Sequence, residues 1–236
     1  MPKLIIDIET IGEDYESLDE TTKGVLTRWL EKESSSDDDY AVALEEMKSG
    51  LGFSPLTGEI VAIGVLDYDT NQGAVYFQSA GEDVAEFSED GFKFKSMTEK
   101  EMLRRFWEIA VRYDEFVTFN GRTFDAPFLV IRSAVHQIEP TKNLMSNRYL
   151  NSQKYDSAHI DLLDQFTFYG AMRRKGNLHL WCRAFGIESP KAGGVTGDDV
   201  GELFRAKKFL DIARYNVGDL RATRELYDRW SKYFRV

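Results

Sequence analysis

The order of its apolar segments is the feature that most constrains how this chain folds. Three short β-rich segments come first, and turn-forming residues separate the second from the third, which predicts a strand followed by a hairpin. Further along, apolar residues recur at helical spacing, with two more short strands between the helices. The predicted strands are 3–8, 59–66, 74–77, 115–119 and 159–163, and the predicted helices are 100–111, 124–138, 178–185, 200–204 and 209–234. A three-stranded antiparallel meander followed by alternating helices and strands predicts an α/β fold, in which parallel strands extend the meander and helices flank the mixed sheet.

An acidic segment separates the first strand from the second. Residues 13–49 contain 12 acidic and 4 basic side chains, so this segment alone carries −8 of the chain's formal net charge of −10. Four apolar residues between Val25 and Leu30 cluster as on one helix face, and the serines and aspartates at 34–39 could cap a second helix. We interpret the segment as a helical insertion in a single domain that spans residues 1–236. Two solvated helices, a mobile lid and a docking surface for a protein partner are the alternatives for its role.

The cysteine and hydropathy patterns exclude several classes of protein. The single Cys182 cannot form an intrachain disulfide, and the three histidines are too far apart in sequence to complete a zinc site with it. No stretch approaches the roughly 18 apolar residues that a membrane span needs. The sequence therefore predicts a soluble, cytoplasmic protein without a membrane partner.

Two acidic residues interrupt the first apolar strand. Asp7 and Glu9 are two positions apart, so strand periodicity sends both side chains to the same face. Adjacent like charges in an apolar strand would raise a pKa and cost stability, whereas a divalent metal ion would convert the repulsion into coordination. The pair is therefore a candidate metal site, with an exposed strand end as the alternative.

Two further carboxylates follow, one after a later strand and one on the last helix. Asp125 follows a strand that ends at Asn120, and it precedes Pro127, which lies in the first turn of a helix. The alternative role for Asp125 is a simple helix cap. Tyr215 and Asp219 are four residues apart, so they project from neighbouring turns of one helix face. An ordinary pair of surface neighbours is the alternative for these two residues.

Together the three motifs resemble, in order and spacing, the exonuclease motifs of the DEDD superfamily of 3′-5′ exonucleases, which have a ribonuclease H-like fold. The Tyr215-x-x-x-Asp219 motif is similar to the tyrosine subclass, because the histidine subclass carries a histidine where this chain has Arg214. The Asn-Gly-x-x-Phe-Asp-x-Pro motif resembles the proofreading domain of family B DNA polymerases. The chain looks like the free-standing, polymerase-B-like predicted exonucleases, from Lys3 to about Trp230 apart from the acidic insertion.

This resemblance implies that four acids, Asp7, Glu9, Asp125 and Asp219, hold two divalent cations, Mg²⁺ or Mn²⁺, with Asp7 as the bridging ligand. Tyr215 would orient the attacking water, since an ordinary tyrosine pKa of about 10 makes the side chain a poor base. The implied reaction is hydrolysis of phosphodiester bonds from the 3′ end of single-stranded DNA, with release of nucleoside 5′-monophosphates. The alternatives are a 3′-5′ exoribonuclease and a noncatalytic nucleic-acid-binding module with the same fold; DNA is favoured over RNA through the polymerase resemblance.

The resemblance also suggests which residues contact the substrate. Thr10, through its backbone, Asn120 and Phe124 are expected to line the pocket for the 3′-terminal nucleotide. Phe124 could pack against a base or sugar, and it could equally be a core residue.

A basic cluster supplies candidate phosphate contacts. Arg173, Arg174 and Lys175 precede a glycine in an apparent loop, where they could reach phosphates; solvated surface residues are the alternative. Outside the acidic insertion the net charge is only −2, so the rest of the surface can accommodate an anionic strand. His159 and Asp161, near a later strand, are interpreted as hydrogen-bonded structural residues.

Overall fold

A mixed β-sheet with helices on both faces forms the centre of the structure. The computed structural model describes residues 1–189 and 197–235. The seven strands of the sheet are β1 (Lys3–Gly12), β2 (Gly58–Asp67), β3 (Gly73–Phe77), β4 (Phe87–Glu89), β5 (Phe92–Ser96), β6 (Glu115–Thr118) and β7 (Ala158–Asp161). Their order across the sheet is β4-β5-β3-β2-β1-β6-β7. The predicted α/β class with a mixed sheet is confirmed.

Helices pack on both faces of the sheet, and others lie in the acidic insertion. They are α1 (Glu20–Thr27), α2 (Leu30–Glu33), α3 (Asp37–Ser49), α4 (Glu99–Ala110), α5 (Asp125–Val135), α6 (Leu162–Phe166), α7 (Leu178–Phe185), α8 (Val200–Arg205) and α9 (Phe209–Tyr233). Leu4, Ile6 and Ile8 of β1 belong to a buried cluster with α4 and α5. Ile5 points to the other face and belongs to the cluster that contains α7, α8 and α9. Because side chains alternate along a strand, Asp7 and Glu9 share the face of Ile5.

The antiparallel meander and the parallel strands form as the sequence predicts. Beyond β3 the sheet contains two further strands, β5 and β4, that the sequence did not predict. β1 pairs antiparallel with β2, β2 antiparallel with β3, β1 parallel with β6, and β6 parallel with β7. β5 adds parallel to β3, and the short β4 pairs with β5. The signal for β5 is the alternation of buried Phe92 and Phe94 with the exposed lysines 93 and 95. A three-residue strand such as β4 is too short to show such a period.

Local sequence determines where α4 begins. The Thr98 hydroxyl accepts a hydrogen bond from the backbone N–H of Glu101, and the Glu101 carboxylate accepts one from the backbone N–H of Thr98. Met102, Phe106 and Trp107 follow on one side and are fully buried against the sheet. This cap and this apolar stripe together fix α4 beneath β2 and β3.

The acidic insertion is helical, as predicted, but its apolar residues do not form one buried face. The chain turns between α1 and α2, so Leu30 is buried whereas Val25 and Trp29 are exposed. The predicted cap is present, since the Ser36 hydroxyl accepts a hydrogen bond from the backbone N–H of Asp39 at the start of α3. None of the helices within residues 1–189 and 197–235 combines the length and the apolar character needed to cross a membrane.

Candidate active site

β1 and α9 bring three of the predicted carboxylates together. α9 packs along β1 and β2 on the face to which Asp7 and Glu9 point. One carboxylate oxygen from each of Asp7, Glu9 and Asp219 lies within 4.8 Å of the other two. Glu9 and Asp219 are buried, and Asp7 is partly buried. The pairing register of β1 against β2 shifts just after Glu9, so the regular strand geometry is interrupted at the site and resumes from Thr10 to Gly12.

Asp125 approaches the same part of β1 from the start of α5. Its carboxylate Oδ1 accepts a hydrogen bond of 3.1 Å from the backbone N–H of Ile8, the residue between Asp7 and Glu9. Asp125 is 4% exposed. A simple helix cap does not account for Asp125, because its carboxylate contacts β1. Asp125 is nevertheless not one of the three acids whose oxygens lie within 4.8 Å of one another.

Tyr215 lies one helical turn before Asp219 on α9, close enough for the Asp219 carboxylate to act on its hydroxyl group. Burial raises the pKa of Tyr215 well above its ordinary value, and the charges of Asp219, Glu9 and Asp7 raise it further. The Tyr215 hydroxyl therefore remains protonated across the ordinary pH range, as a donor rather than a base.

Burial and mutual repulsion also raise the pKa values of the acids. Burial raises the pKa of Asp7 well above its usual range, and the negative charges of Asp219, Glu9 and Asp125 add to the effect. Burial and the charge of Asp219 do the same to the pKa of Glu9. Burial raises the pKa of Asp125 to about 7. Asp7, Glu9 and Asp125 therefore oppose ionisation unless a cation compensates their charge.

The donor set fits a hard divalent cation. Among the described residues, Glu9 Oε1 is one of the few buried side-chain oxygens without a hydrogen-bond partner. A buried carboxylate oxygen without a donor is costly, and a metal ion beside it would satisfy it. The ligands of the cluster are all carboxylate oxygens, which Mg²⁺ and Mn²⁺ prefer over nitrogen and sulfur.

Asn216 is a buried residue of the site to which no sequence pattern draws attention. It is fully buried on α9, and its Nδ2 donates a hydrogen bond of 2.7 Å to Asp7 Oδ2. Gly64 of β2 pairs with Asp7 and leaves the space that Asn216 occupies. A Cβ at Gly64 would lie 1.8 Å from Asn216 Oδ1 and 2.7 Å from Leu220 Cδ1. Such a close approach between a strand and a helix cannot be seen in local periodicity.

We therefore expect Gly64→Ala to lower the free energy of unfolding by about 1–3 kcal/mol, because the added methyl group forces Asn216 and Leu220 out of position. Urea denaturation of the metal-free protein measures this loss. Gly24→Ala is the matched control, since Gly24 lies within α1 with nothing within 4 Å of its Cβ position. The control should be unchanged or gain up to about 1 kcal/mol. Equal stability of Gly64→Ala and the wild type would contradict the close approach.

Asp161 and His159 support the loop that carries Asn120. The Asp161 carboxylate accepts hydrogen bonds from the backbone N–H groups of Asn120 (3.0 Å) and Arg122 (2.9 Å). Asn120 has a positive φ of 66°, which an asparagine tolerates better than most residues. His159 Nδ1 donates to the carbonyl of Leu144, so Nε2 accepts from the Thr118 hydroxyl, and burial lowers the pKa of His159 to about 4. The structural interpretation of these two residues is confirmed.

The residues predicted to contact substrate lie in different surroundings. The Thr10 hydroxyl donates a hydrogen bond of 2.7 Å to the carbonyl of Gly52, and Asn120 Oδ1 accepts one of 2.8 Å from the Thr123 hydroxyl. Phe124 is half-buried, with its ring 4.9 Å from that of the buried Phe128.

The basic cluster lies on the loop between α6 and α7. Arg173, Arg174 and Lys175 are all exposed there, directly before Gly176. Their side chains take part in none of the hydrogen bonds or ion pairs described for residues 1–189 and 197–235. They can therefore reach an external anion without first breaking an internal ion pair.

Comparison with known proteins indicates a nuclease-related fold. One family, described as "Predicted 3'-5' exonuclease related to the exonuclease domain of PolB", matches residues 57–234, a range that includes Asp125, Tyr215 and Asp219 and begins after β1. No curated protein is similar enough to count as a match. The family B DNA polymerase from the hyperthermophilic archaeon Pyrobaculum calidifontis superposes with a TM-score of 0.57 and 17% identity. The superposition covers 97% of this chain and 24% of the polymerase, so this chain spans about a quarter of that protein. At this identity the likeness shows the fold, which is the predicted ribonuclease H-like arrangement of a mixed sheet and flanking helices.

Proposed function

The chain belongs to the family of predicted 3′-5′ exonucleases related to the exonuclease domain of PolB, and we propose that it is a metal-dependent 3′-5′ exonuclease of the DEDD superfamily, tyrosine subclass. Its substrate would be the 3′ end of single-stranded DNA, and its products nucleoside 5′-monophosphates. The observation that carries the proposal is the convergence of Asp7, Glu9 and Asp219, from two ends of the chain, within 4.8 Å.

The proposed cation ligands are Asp7, Glu9 and Asp219, with Asp125 completing the set. Two divalent cations, Mg²⁺ or Mn²⁺, would supply positive charge to the attacking and leaving oxygens of the phosphodiester. The buried Glu9 Oε1, which has no hydrogen-bond partner among the described residues, supports this assignment. The raised pKa values of Asp7, Glu9 and Asp125 support it too, because they arise from burial and from repulsion between neighbouring carboxylates, both of which a bound cation would offset.

The remaining residues of the site orient the reacting groups. Tyr215, kept protonated by its raised pKa and held against Asp219, would fix the position of the attacking water through its hydroxyl group. Asn216 would hold the Asp7 carboxylate in one rotamer through its 2.7 Å hydrogen bond. Positioning of this kind lowers the barrier because the water and the phosphate need not find their orientation during the reaction.

The proposed substrate contacts are residues outside the carboxylate cluster. Thr10, Asn120 and Phe124 would contact the 3′-terminal nucleotide, and the exposed Arg173, Arg174 and Lys175 would contact phosphates. DNA is proposed over RNA because the fold is shared with a DNA polymerase. A 2′-hydroxyl would be tolerated or rejected by the shape of the pocket around the terminal sugar.

We expect the purified protein with Mg²⁺ or Mn²⁺ to shorten a 5′-labelled single-stranded oligonucleotide one nucleotide at a time from its 3′ end. Denaturing gels follow the ladder, and chromatography identifies nucleoside 5′-monophosphates. Matched DNA and RNA strands of one sequence test the sugar preference, and chelation by EDTA should stop cleavage. Faster digestion of RNA would favour the exoribonuclease alternative. Binding of the strand without any metal-dependent product would favour the noncatalytic module and contradict the proposal.

A further inference from the structure

Phe53, the last residue of a short 3-10 helix at Gly50–Phe53, exposes an aromatic ring that contacts the ring of Phe124. The side chain is 60% exposed although it is fully apolar. Its ring centroid lies 6.4 Å from that of Phe124, with the two planes at 60°. Phe124 directly precedes Asp125, whose carboxylate bonds to β1 between Asp7 and Glu9. The exposed ring therefore packs against the residue that directly precedes one of the proposed metal ligands.

The backbone that carries Phe53 is fixed to the end of β1. The carbonyl of Gly52 accepts the Thr10 hydroxyl at 2.7 Å, and Thr10 is the residue after Glu9. A Cβ at Gly52 would lie 2.9 Å from the backbone nitrogen of Gly12, so the backbone segments around these two glycines are in direct contact. An exposed aromatic ring on an anchored backbone loses little entropy when a flat ligand stacks on it.

The charge around Phe53 indicates which part of a nucleic acid it would contact. Residues 49–56 contain no basic side chain, and the nearest lysine in sequence, Lys48, is already paired with Glu16 and Glu45. Arg132, which reaches the carbonyl of Pro55, is paired with Glu99. The acidic helices before it would repel phosphates. A neutral nucleobase meets neither obstacle, and every base offers a π-face on which an aromatic ring can stack.

We propose that Phe53, backed by Phe124, forms a stacking subsite for a nucleobase within the last two nucleotides of the substrate strand. The inference rests on the proposed exonuclease function and adds to it a contact supplied by the connection that follows the acidic helices. Phe53 lies outside residues 57–234, the part of the chain that the family match covers. The subsite holds the strand by its bases and is therefore tolerant of sequence.

The test combines a change in the protein with a change in the strand. Phe53→Ala is compared with the wild type on a normal 5′-labelled DNA strand and on the same strand with its last two nucleotides abasic. We expect the substitution to lower kcat/KM and binding affinity about 5- to 100-fold on the normal strand. On the abasic strand the two proteins should be equal, because no base remains to stack. Phe53→Trp should retain the wild-type values.

Binding is measured by fluorescence anisotropy with Ca²⁺ in place of Mg²⁺, so that the subsite is tested separately from cleavage. Val42→Ala, which removes another exposed apolar side chain from the acidic helices, should change neither quantity. The inference is overturned if Phe53→Ala binds the normal strand as tightly as the wild type does. It is also overturned if the loss is equal on normal and abasic strands, since that result indicates a purely structural role. Absence of cleavage by the wild type, with base-dependent binding intact, would contradict the exonuclease proposal and leave the subsite supported.

Discussion

Asp7→Asn should lower the rate of metal-dependent strand cleavage by about three orders of magnitude, which corresponds to about 4 kcal/mol of transition-state stabilisation. Asp7 lies at the centre of the carboxylate cluster, with an oxygen within 4.8 Å of ligand oxygens of Glu9 and Asp219. The substitution removes one negative charge from the cluster but preserves side-chain shape, and an amide oxygen can still accept the hydrogen bond from Asn216. Single-turnover digestion of a 5′-labelled strand measures the effect on the chemical step.

The same substitution should not harm the fold, and this separates catalysis from stability. Because Asp7 is repelled by Glu9, Asp125 and Asp219, replacing it with a neutral side chain should raise the melting temperature in EDTA. Asp38→Asn, at an exposed acid of α3, is the control and should leave both cleavage and melting unchanged. Cleavage by Asp7→Asn at the wild-type rate would show that the cluster is not the active site.

Asp125→Asn should stabilise the metal-free protein at pH 8 by on the order of 4 kcal/mol, and at pH 4 by less than about 1 kcal/mol. The folded-state pKa of about 7 lies above the ordinary value of 3.8, so folded protein retains a proton that the unfolded chain has lost. The folded state of the wild type is therefore progressively disfavoured as pH rises from about 4 to about 7. Asparagine mimics the protonated acid, and its oxygen can still accept from Ile8. Urea denaturation of both proteins at a series of pH values, in EDTA, measures the difference.

The contributions of the other titrating groups cancel when the free energies of unfolding of the wild type and Asp125→Asn are subtracted at each pH. The buried His159, whose pKa is lowered to about 4, makes the fold more stable as pH rises towards its ordinary value, but it contributes equally to both proteins. Excess Mg²⁺ at pH 8 should stabilise the wild type more than the variant and so reduce the gap, because a cation offsets the charge of Asp125. A difference that stays constant from pH 4 to pH 8 would contradict the raised pKa.

The acids of the candidate site could be singled out from the sequence because local spacing places them in pairs on one face, and the resemblance to the exonuclease motifs joined them into one set. A spacing of two in a strand sends Asp7 and Glu9 to one face, and a spacing of four in a helix does the same for Tyr215 and Asp219. The fold class follows for the same reason, since the order of strand and helix periods is a local property. How close the groups come to one another is not local, and sequence gives no indication that Asp125 lies apart from the other three.

The residues that sequence did not single out are those whose roles depend on tertiary contacts. Asn216 is one polar residue on a long amphipathic helix, and only its approach to Gly64 and Asp7 shows its role. Phe53 is an isolated aromatic after an acidic segment, and only the nearby ring of Phe124 gives it a candidate function. In both cases the partner lies at least 71 residues away in the chain. No period or motif joins positions at such distances.

The acidic helices are connected to the sheet in a way that makes this part of the protein interchangeable. Gly12 and Gly58 are paired across β1 and β2, so the chain leaves the sheet and re-enters it at one place. Loop-closure entropy changes slowly with length, so shortening or lengthening the exposed parts of α1–α3 would cost little closure entropy and would not disturb strand register. With the Thr10 and Gly52 contact kept, evolution or an engineer could exchange these helices for another module. The sheet and its carboxylate cluster could thereby acquire new recognition elements while the cluster itself stayed the same.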